Sequence, residues 1–452
     1  MKLTFLGATN TVTGSKYLLE VDQHKFLIDC GLFQGHKELR LRNWRSLSVD
    51  PKEIDAVILT HAHLDHSGYL PLLAKQGFSG PIYCSQETVE LCGVLLPDSG
   101  YLQEEDARYA NKYGFSKHKP ALPLYTRADA VAVLSQFKAI KFDTAHQLLK
   151  NLQFSLLPAG HILGASLVEI RYNDIKVVFS GDLGRPNDPI MKAPTHIWST
   201  DYLILESTYG DRAHLDINPA AELTEIINRT VKRGGMVLIP AFAVGRSQLL
   251  LYYVYQLMKS KKIPELPVYL DSPMAIAATK IFMRHAIHHR LTKEQAEAIC
   301  HMAVCTETQE ESKQIDAIDH PMIVISASGM ATGGRVLHHL KRFVTDAKNT
   351  VLFTGYQAAG TRGDKMLKGI EEIKIHGGLY PVRAEILQIS NTSAHSDYKE
   401  TLEWLSSFTE APKKIFLTHG EPEAARALKS KIEETFGWQC MIPRYLDTEA
   451  LG

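Results

Sequence analysis

No stretch of the 452 residues approaches the roughly 18 uncharged apolar positions that a membrane-spanning helix needs. The opening Met1-Lys2-Leu3-Thr4-Phe5-Leu6-Gly7 also lacks an apolar run long enough for a secretory signal. No membrane partner and a cytoplasmic location are therefore the expectation. Cysteine is scarce, with six residues and no zinc-finger spacing; Cys300 and Cys305 are the only close pair. Buried free thiols in a reducing compartment fit that usage better than a disulfide framework. An excess of either charge is missing too, since Lys+Arg and Asp+Glu number 50 each. This balance excludes neither nucleic acid nor a small molecule as partner, because a neutral chain can still carry a basic cleft. Neither a fixed-period repeat nor a low-complexity segment is visible. The length exceeds one ordinary core and predicts two or three domains.

What the chain does have is a dense group of metal-binding side chains. Thr60-His61-Ala62-His63-Leu64-Asp65-His66-Ser67-Gly68 follows the apolar run Ala56-Val57-Ile58-Leu59 and precedes Leu70, Leu72 and Leu73 at helical spacing. Strand, loop, helix is the predicted local order. Alternation places His61 and His63 on one side of an extended segment. Asp65 and His66 then open the helix with a carboxylate and another imidazole. Zinc takes such ligands in roughly four-coordinate sites. Four of them within six residues exceed what one metal needs from one loop, so two metals sharing the loop is the economical reading.

Polar residues at predicted strand ends recur along the chain. Lys2–Leu6, Lys16–Val21 and Lys25–Ile28 read as strands, the third ending in Asp29. Residues 85–135 read as mainly helical. Strands return at Phe154–Leu157, Leu167–Arg171 and Lys176–Ser180, with His161 and Asp182 in glycine-bounded loops at their junctions. The run Tyr202-Leu203-Ile204-Leu205 ends in Glu206-Ser207-Thr208-Tyr209-Gly210. From about residue 210 the pattern becomes strand–loop–helix, which predicts a parallel sheet with ligand-facing loops at strand C-termini. Near the end, Ala384–Ile389 leads to His395 and Lys414–Leu417 leads to His419. Histidine at strand ends is again the grammar of the first part, so the middle part reads as an insertion. His285, His288, His289, His338 and His339 read as structural or solvated. His118, His214 and His376 receive no assignment.

Together, Asp29, the His61-to-His66 cluster, His161, Asp182, Glu206, His395 and His419 resemble, in order, the motifs of the metallo-β-lactamase superfamily and its β-CASP nucleases. The resemblance spans residues 1 to about 430. It implies an α/β fold, a metallo-β-lactamase αββα sandwich carrying an inserted β-CASP domain with a Rossmann-like parallel sheet and helices. The implied boundaries are 1–208 and 373–452 for the sandwich and 209–372 for the insertion. By resemblance, His61, His63 and His161 hold one zinc. Asp65, His66 and His419 hold the other, with Asp182 bridging and Asp29 orienting a ligand histidine. Manganese is the alternative metal. Glu206 and His395 form a pair in which His395 is the general acid; Asp65 and Asp182 complete the implied catalytic set.

The implied activity is a two-metal ribonuclease acting in RNA processing or decay, endonucleolytic with 5′–3′ exonuclease action as an addition. Histidine at the position of His419 resembles the RNA-processing members and argues against a DNA nuclease. Small-molecule hydrolysis on the same fold is disfavoured, because such enzymes lack an insertion of this length and the His395 motif. The expected partner is single-stranded RNA, and the resemblance implies a homodimer. Within the insertion, the Ser326-Ala327-Ser328-Gly329 and Gly333-Gly334-Arg335 loops lead into a helix whose free N–H groups would favour an anion. Thr361, Arg362 and Lys365 offer further phosphate donors near Tyr356, which could stack on a base. The alternative is that these glycines only make turns.

Overall fold

Short apolar strands that end at a glycine or a polar loop line up into three large sheets in the computed structural model, which describes residues 1–452 except Phe115, Tyr356, Ala358, Ala359 and Ser390. The chain divides into two units. One comprises Met1–Ala213 with His395–Gly452, the other His214–Ala394. The return to the first unit therefore comes at His395, not at 373. The strand Glu385–Ile389 pairs in parallel with Thr350–Thr354 and so belongs to the sheet of the second unit. Ahead of it, Glu372–Ile375 and Gly378–Pro381 form a small antiparallel hairpin in the same unit.

The first unit contains two seven-stranded sheets. One runs from Thr448–Ala450 at its edge through Lys2–Phe5, Tyr17–Val21, His24–Ile28, Ala56–Ile58 and Ile82–Cys84 to Phe137–Ala139. The other runs from Cys440–Met441 through Lys414–Thr418, Tyr202–Glu206, Ile175–Phe179, Ser166–Tyr172 and Leu152–Pro158 to His146–Leu149. Alternate residues of both sheets meet in one core, where Leu19, Phe26 and Ile58 join Phe154, Val168 and Ile170. Phe416 shows why the last part of the chain belongs there. Its ring is fully buried, 5.2 Å from that of Phe5. Removing such a ring typically costs about 3–5 kcal/mol. Helices lie on the outer faces: Gln86–Tyr113 packs near Phe137–Ala139, and Pro422–Phe436 near Lys414–Thr418 and Cys440–Met441. All six cysteines are unpaired.

The second unit is built on a six-stranded sheet ordered Ala303–Cys305, Val268–Asp271, Ile323–Ser326, Val237–Pro240, Thr350–Thr354 and Glu385–Ile389. Every pairing in it is parallel. Its central strands, Val-Leu-Ile-Pro and Ile-Val-Ile-Ser, are buried at every position, as expected for a sheet covered on both faces. Among the described residues no helix is long and apolar enough to cross a membrane.

Candidate metal centre

Three adjacent parallel strands of the second sheet end side by side, and each ends in a candidate residue. Ile175–Phe179 runs on to Asp182, Tyr202–Glu206 closes on Glu206, and Lys414–Thr418 runs on to His419. The hairpin joining Leu152–Pro158 to Ser166–Tyr172 carries His161 in its turn. From the first sheet, His24–Ile28 delivers Asp29, and Ala56–Ile58 delivers the loop starting at Thr60. Ligand groups thus gather beyond the carboxyl ends of the strands, the general location of sites in α/β sheets.

Local backbone chemistry aims them. Asp29 and His419 both sit in the left-handed region, with φ of 59° and 49°. That conformation costs a non-glycine residue roughly 1–3 kcal/mol and turns each side chain away from its strand. Backbone hydrogen bonds hold it, from Asp29 N–H to Ile58 O at 2.9 Å and from His419 N–H to Ala8 O at 2.7 Å. The segment after Asp29 is stapled to the histidine loop through Cys30 N–H to His66 O and Leu32 N–H to Leu64 O. Gly31 permits that approach, for a Cβ there would lie 1.5 Å from the Asp65 carbonyl oxygen. Below it Lys16 is buried, its ammonium 4.7 and 4.6 Å from the Phe33 and Tyr69 ring centroids and donating to Gly31 O.

Two groups of ligand atoms result. His63 Nδ1 lies 3.1 Å from His61 Nε2 and 3.3 Å from His161 Nε2. Asp182 Oδ2 stands 3.4 and 3.5 Å from the same two Nε2 atoms. In the second group, His66 Nε2 is 3.1 Å from His419 Nε2 and 3.1 Å from Asp182 Oδ1, and His419 Nε2 is 3.5 Å from Asp65 Oδ2. Four donors around one zinc at 2.0–2.1 Å stand about 3.3–3.4 Å apart. Both groups have that spacing, and Asp182 turns one oxygen to each.

The chemistry of the donor set suits a cation. Imidazole nitrogens of different residues face one another, His63 Nδ1 towards the Nε2 atoms of His61 and His161, and His66 Nε2 towards His419 Nε2. The buried His161 Nδ1 has no hydrogen-bond partner among the described residues. Burial pulls His61 down, His63 down to about 3, and His161 well below the usual imidazole range. Neutral imidazoles are what a metal requires. Burial opposes charge on His66 as well, but Asp182 and Asp29 outweigh it and raise this ring. Asp182 is buried too, which alone would raise it, yet the imidazoles of His419, His66, His61 and His395 hold it well below the carboxylate range. The donor set fits metal ions.

Hydroxyls and carboxylates orient these rings. Asp29 Oδ2 lies 2.7 Å from His66 Nδ1 and accepts the Thr60 hydroxyl at 3.0 Å, while Asp29 Oδ1 accepts Thr60 N–H at 2.8 Å. Thr60 Oγ1 is also 3.1 Å from His61 Nδ1. At the rim, His395 Nδ1 lies 3.2 and 3.1 Å from the two oxygens of Glu206. Burial lowers this imidazole, but the Glu206 and Asp182 carboxylates prevail and lift it to about 9. Its side chain is 20% exposed against 4% for Glu206, so the pair offers the imidazole, not the carboxylate, to an incoming molecule. Ser396 ties the segment down through N–H to Leu183 O and hydroxyl to Gly184 O.

The candidates of the second unit behave differently. Arg335 was expected to face phosphate, yet its guanidinium donates to Asp271 Oδ1 at 2.7 Å and to the carbonyls of Thr306 and Glu307. Arg362 likewise donates to the carbonyls of Lys374, Ala331 and Thr332. Both arginines bind groups of their own unit, Arg335 the buried Asp271 carboxylate and Arg362 three backbone carbonyls. Ser326 is buried with its hydroxyl on Asp271 O. Ser328 accepts the N–H groups of Thr332 and Gly333, Gly329 O accepts Gln357, and Thr361 caps the helix Arg362–Leu367. Lys365 is exposed. Tyr356 lies outside the described residues. Sequence reasoning missed Lys16, Thr60 and Thr208; only the position of Thr60, directly before the histidine cluster, could have pointed to one of them.

Family models match in the same order as these groups. The metallo-β-lactamase superfamily model covers residues 10–207, the β-CASP domain 247–366, and the Zn-dependent metallo-hydrolase RNA specificity domain 379–443. A ribonuclease of Thermus thermophilus is 34% identical over 98% of this chain and 99% of its own length. The chain belongs to the β-CASP family of the metallo-β-lactamase superfamily. Another relative of this β-CASP protein is the transcription termination factor FttA of Methanocaldococcus jannaschii, 31% identical over 99% of this chain and 71% of the relative. An RNase J-like protein of the same organism is 29% identical over 98% and 97% of the two chains. A crystal structure of a protein of unknown function from Enterococcus faecalis V583 shares the β-CASP protein's fold, with a TM-score of 0.58 at 13% identity over 99% of each chain.

Proposed function

We propose that this β-CASP protein is a zinc-dependent ribonuclease that hydrolyses RNA phosphodiester bonds internally, with 5′–3′ exonucleolytic action as a second mode. The observation that carries the reading is Asp182, whose two oxygens face two separate sets of imidazole and carboxylate ligands. In this reading His61, His63, His161 and Asp182 hold one metal, and Asp65, His66, His419 and Asp182 hold the other. Bound metals would supply Lewis-acid neutralisation of phosphate charge and a water acidified to a pKa of about 7. Asp29 keeps the His66 proton on Nδ1, so that Nε2 presents its lone pair, the task of outer partners in metal sites.

The leaving 3′ oxygen of ribose needs a proton, and His395 holds one. Glu206 engages Nδ1 and keeps the ring protonated at neutral pH, leaving the Nε2 proton to be passed on. General-acid help of this kind contributes about 10²–10⁴-fold. Relatives named ribonuclease and RNase J-like support RNA as the substrate class, as does the match to an RNA specificity domain. In the second unit, the loop of Ser328 and Gly329 remains the proposed phosphate contact, with Arg335 and Arg362 holding the loops that shape it.

The test is digestion of end-labelled single-stranded RNA by purified protein of measured metal content, using 5′-hydroxyl and 5′-phosphate substrates in parallel. Internal cuts on both substrates that disappear with chelator are expected. Mononucleotides released only from 5′-phosphate RNA would make the exonuclease mode the main one. Absence of cleavage by zinc- or manganese-loaded protein would overturn the proposal.

A further inference from the structure

Thr208 is not a metal ligand, yet its hydroxyl stands between Glu206 and the ligand His419. Thr208 Oγ1 is 2.5 Å from Glu206 Oε2, 3.1 Å from His419 Nδ1 and 3.1 Å from His419 O. A hydroxyl has one proton to give and two lone pairs to receive with, whereas an ionised carboxylate can only accept. The short contact therefore runs from the Thr208 hydroxyl to Glu206. The remaining capacity of Oγ1 accepts a proton from His419 Nδ1. This order puts the His419 proton on Nδ1 and leaves the lone pair on Nε2, the atom that faces His66 Nε2 and Asp65 Oδ2. The same hydroxyl fixes one oxygen of Glu206, and Leu183 N–H fixes the other at 2.5 Å. Glu206 can then meet His395 Nδ1 with both oxygens.

We infer that Thr208 is a positioning residue that couples the second metal position to the proton donor, through the directed chain His419 Nδ1–H to Thr208 Oγ1–H to the Glu206 carboxylate. The inference rests on the ribonuclease reading above and adds a residue and a tautomer to it. Thr208 belongs to the loop that leaves strand Tyr202–Glu206, so it is placed by the same strand that delivers Glu206. His419 comes from the neighbouring strand, and its backbone carbonyl also meets the Thr208 hydroxyl. One side chain thus reads the alignment of both strand ends. Metal-binding histidines commonly direct their second nitrogen to a carboxylate, a carbonyl or water. Here the carboxylate is reached through a hydroxyl, and it also serves the acid.

The experiment compares full-length wild type with Thr208→Val, which keeps the shape and loses the hydroxyl, and Thr208→Ser, which keeps the hydroxyl. Thr208→Ala replaces the valine variant if that one fails to fold by circular dichroism. Metal per chain is measured by mass spectrometry across a chelator titration without RNA, and kcat and KM are measured on a labelled RNA. The valine variant is expected to release one metal equivalent at a chelator concentration about 10–100-fold lower, with kcat reduced by a similar factor and KM within about twofold. The serine variant should track wild type in both measurements. A valine variant with wild-type metal retention and kcat would overturn the inference while leaving the ribonuclease reading intact. So would a serine variant as impaired as the valine one, since the effect would then be packing. Wild-type protein that retains no metal and cuts no RNA would remove the reading and the inference together.

Discussion

The two units each bury histidine and aspartate at the carboxyl ends of parallel strands, and they resolve the resulting electrostatics in opposite ways. In the second unit Asp271 has no exposed surface and is met by cations of the protein itself, Arg335 at 2.7 Å and His339 at 2.6 Å. His339 also contacts Asp316 at 2.7 Å, while Ser312 and Thr306 donate to Asp271 at 2.6 Å. In the first unit no lysine or arginine among the described residues pairs with Asp182 or Asp65. Imidazole nitrogens there face each other, and three of the rings are driven towards neutrality. A ligand-rich residue set therefore does not by itself distinguish a metal centre from a buried ion cluster. The distinction is whether an arginine or lysine of the chain closes the cluster, as Arg335 closes that of Asp271.

Breaking the first unit should have the largest effect. Asp182→Ala removes one donor from each group, and we expect loss of both metal equivalents and of cleavage, well beyond the 10–100-fold typical of outer partners. Metal analysis alongside RNA digestion checks this; a variant that keeps both ions contradicts the shared carboxylate. Next comes His395→Ala, expected to keep its metal and to lose about 10²–10⁴-fold in cleavage. Zinc lost from that variant would place His395 among the ligands. In the second unit Asp271→Ala should leave metal content alone and lower stability by about 3–5 kcal/mol, because Arg335 and His339 lose their buried partner. Denaturant unfolding followed with metal analysis separates the two outcomes.

The smallest effect expected is a pH dependence, and it belongs to the second unit. Burial opposes charge on His339, but Asp271 and Asp316 prevail and raise it to about 9. A base raised on folding contributes stability that is complete below its unfolded pKa, near 6.5. That contribution is lost as pH climbs through about 9. Wild-type unfolding midpoints should therefore fall between pH 7 and 10, and His339→Gln should show a flatter profile over that range. Equal slopes in the two proteins would mean that the ring is neutral in the folded chain.

These contrasts explain what could and could not be read beforehand. Long apolar strands were legible because they are buried on both faces, and the histidine cluster was legible because four ligands fall within six residues. Short edge strands such as Phe137–Ala139, Ala303–Cys305 and Thr448–Ala450 carry two or three residues of pattern and were missed. Glu206 and His395 stand out in the sequence as polar residues at strand ends, whereas their pairing and roles come only through resemblance. Thr60 and Thr208 were invisible because a hydroxyl gains meaning only from what stands opposite. Arg335, between glycines and a helix, has the look of a phosphate donor; only the burial of Asp271 reveals its actual partner. The return of the chain was placed too early because Glu385–Ile389 reads like a strand of either unit.

The order in which the strands are made has a consequence for synthesis. Tyr202–Glu206 waits for its parallel neighbour Lys414–Thr418, which leaves the ribosome about 200 residues later, a delay of roughly 10–40 s at ordinary elongation rates. Until then the nascent chain holds His61, His63 and His161 without His395 or His419. On the proposed roles of His395 and His419, a half-made molecule travelling beside its own messenger is unarmed, and the ability to cut arrives only with the final stretch of translation.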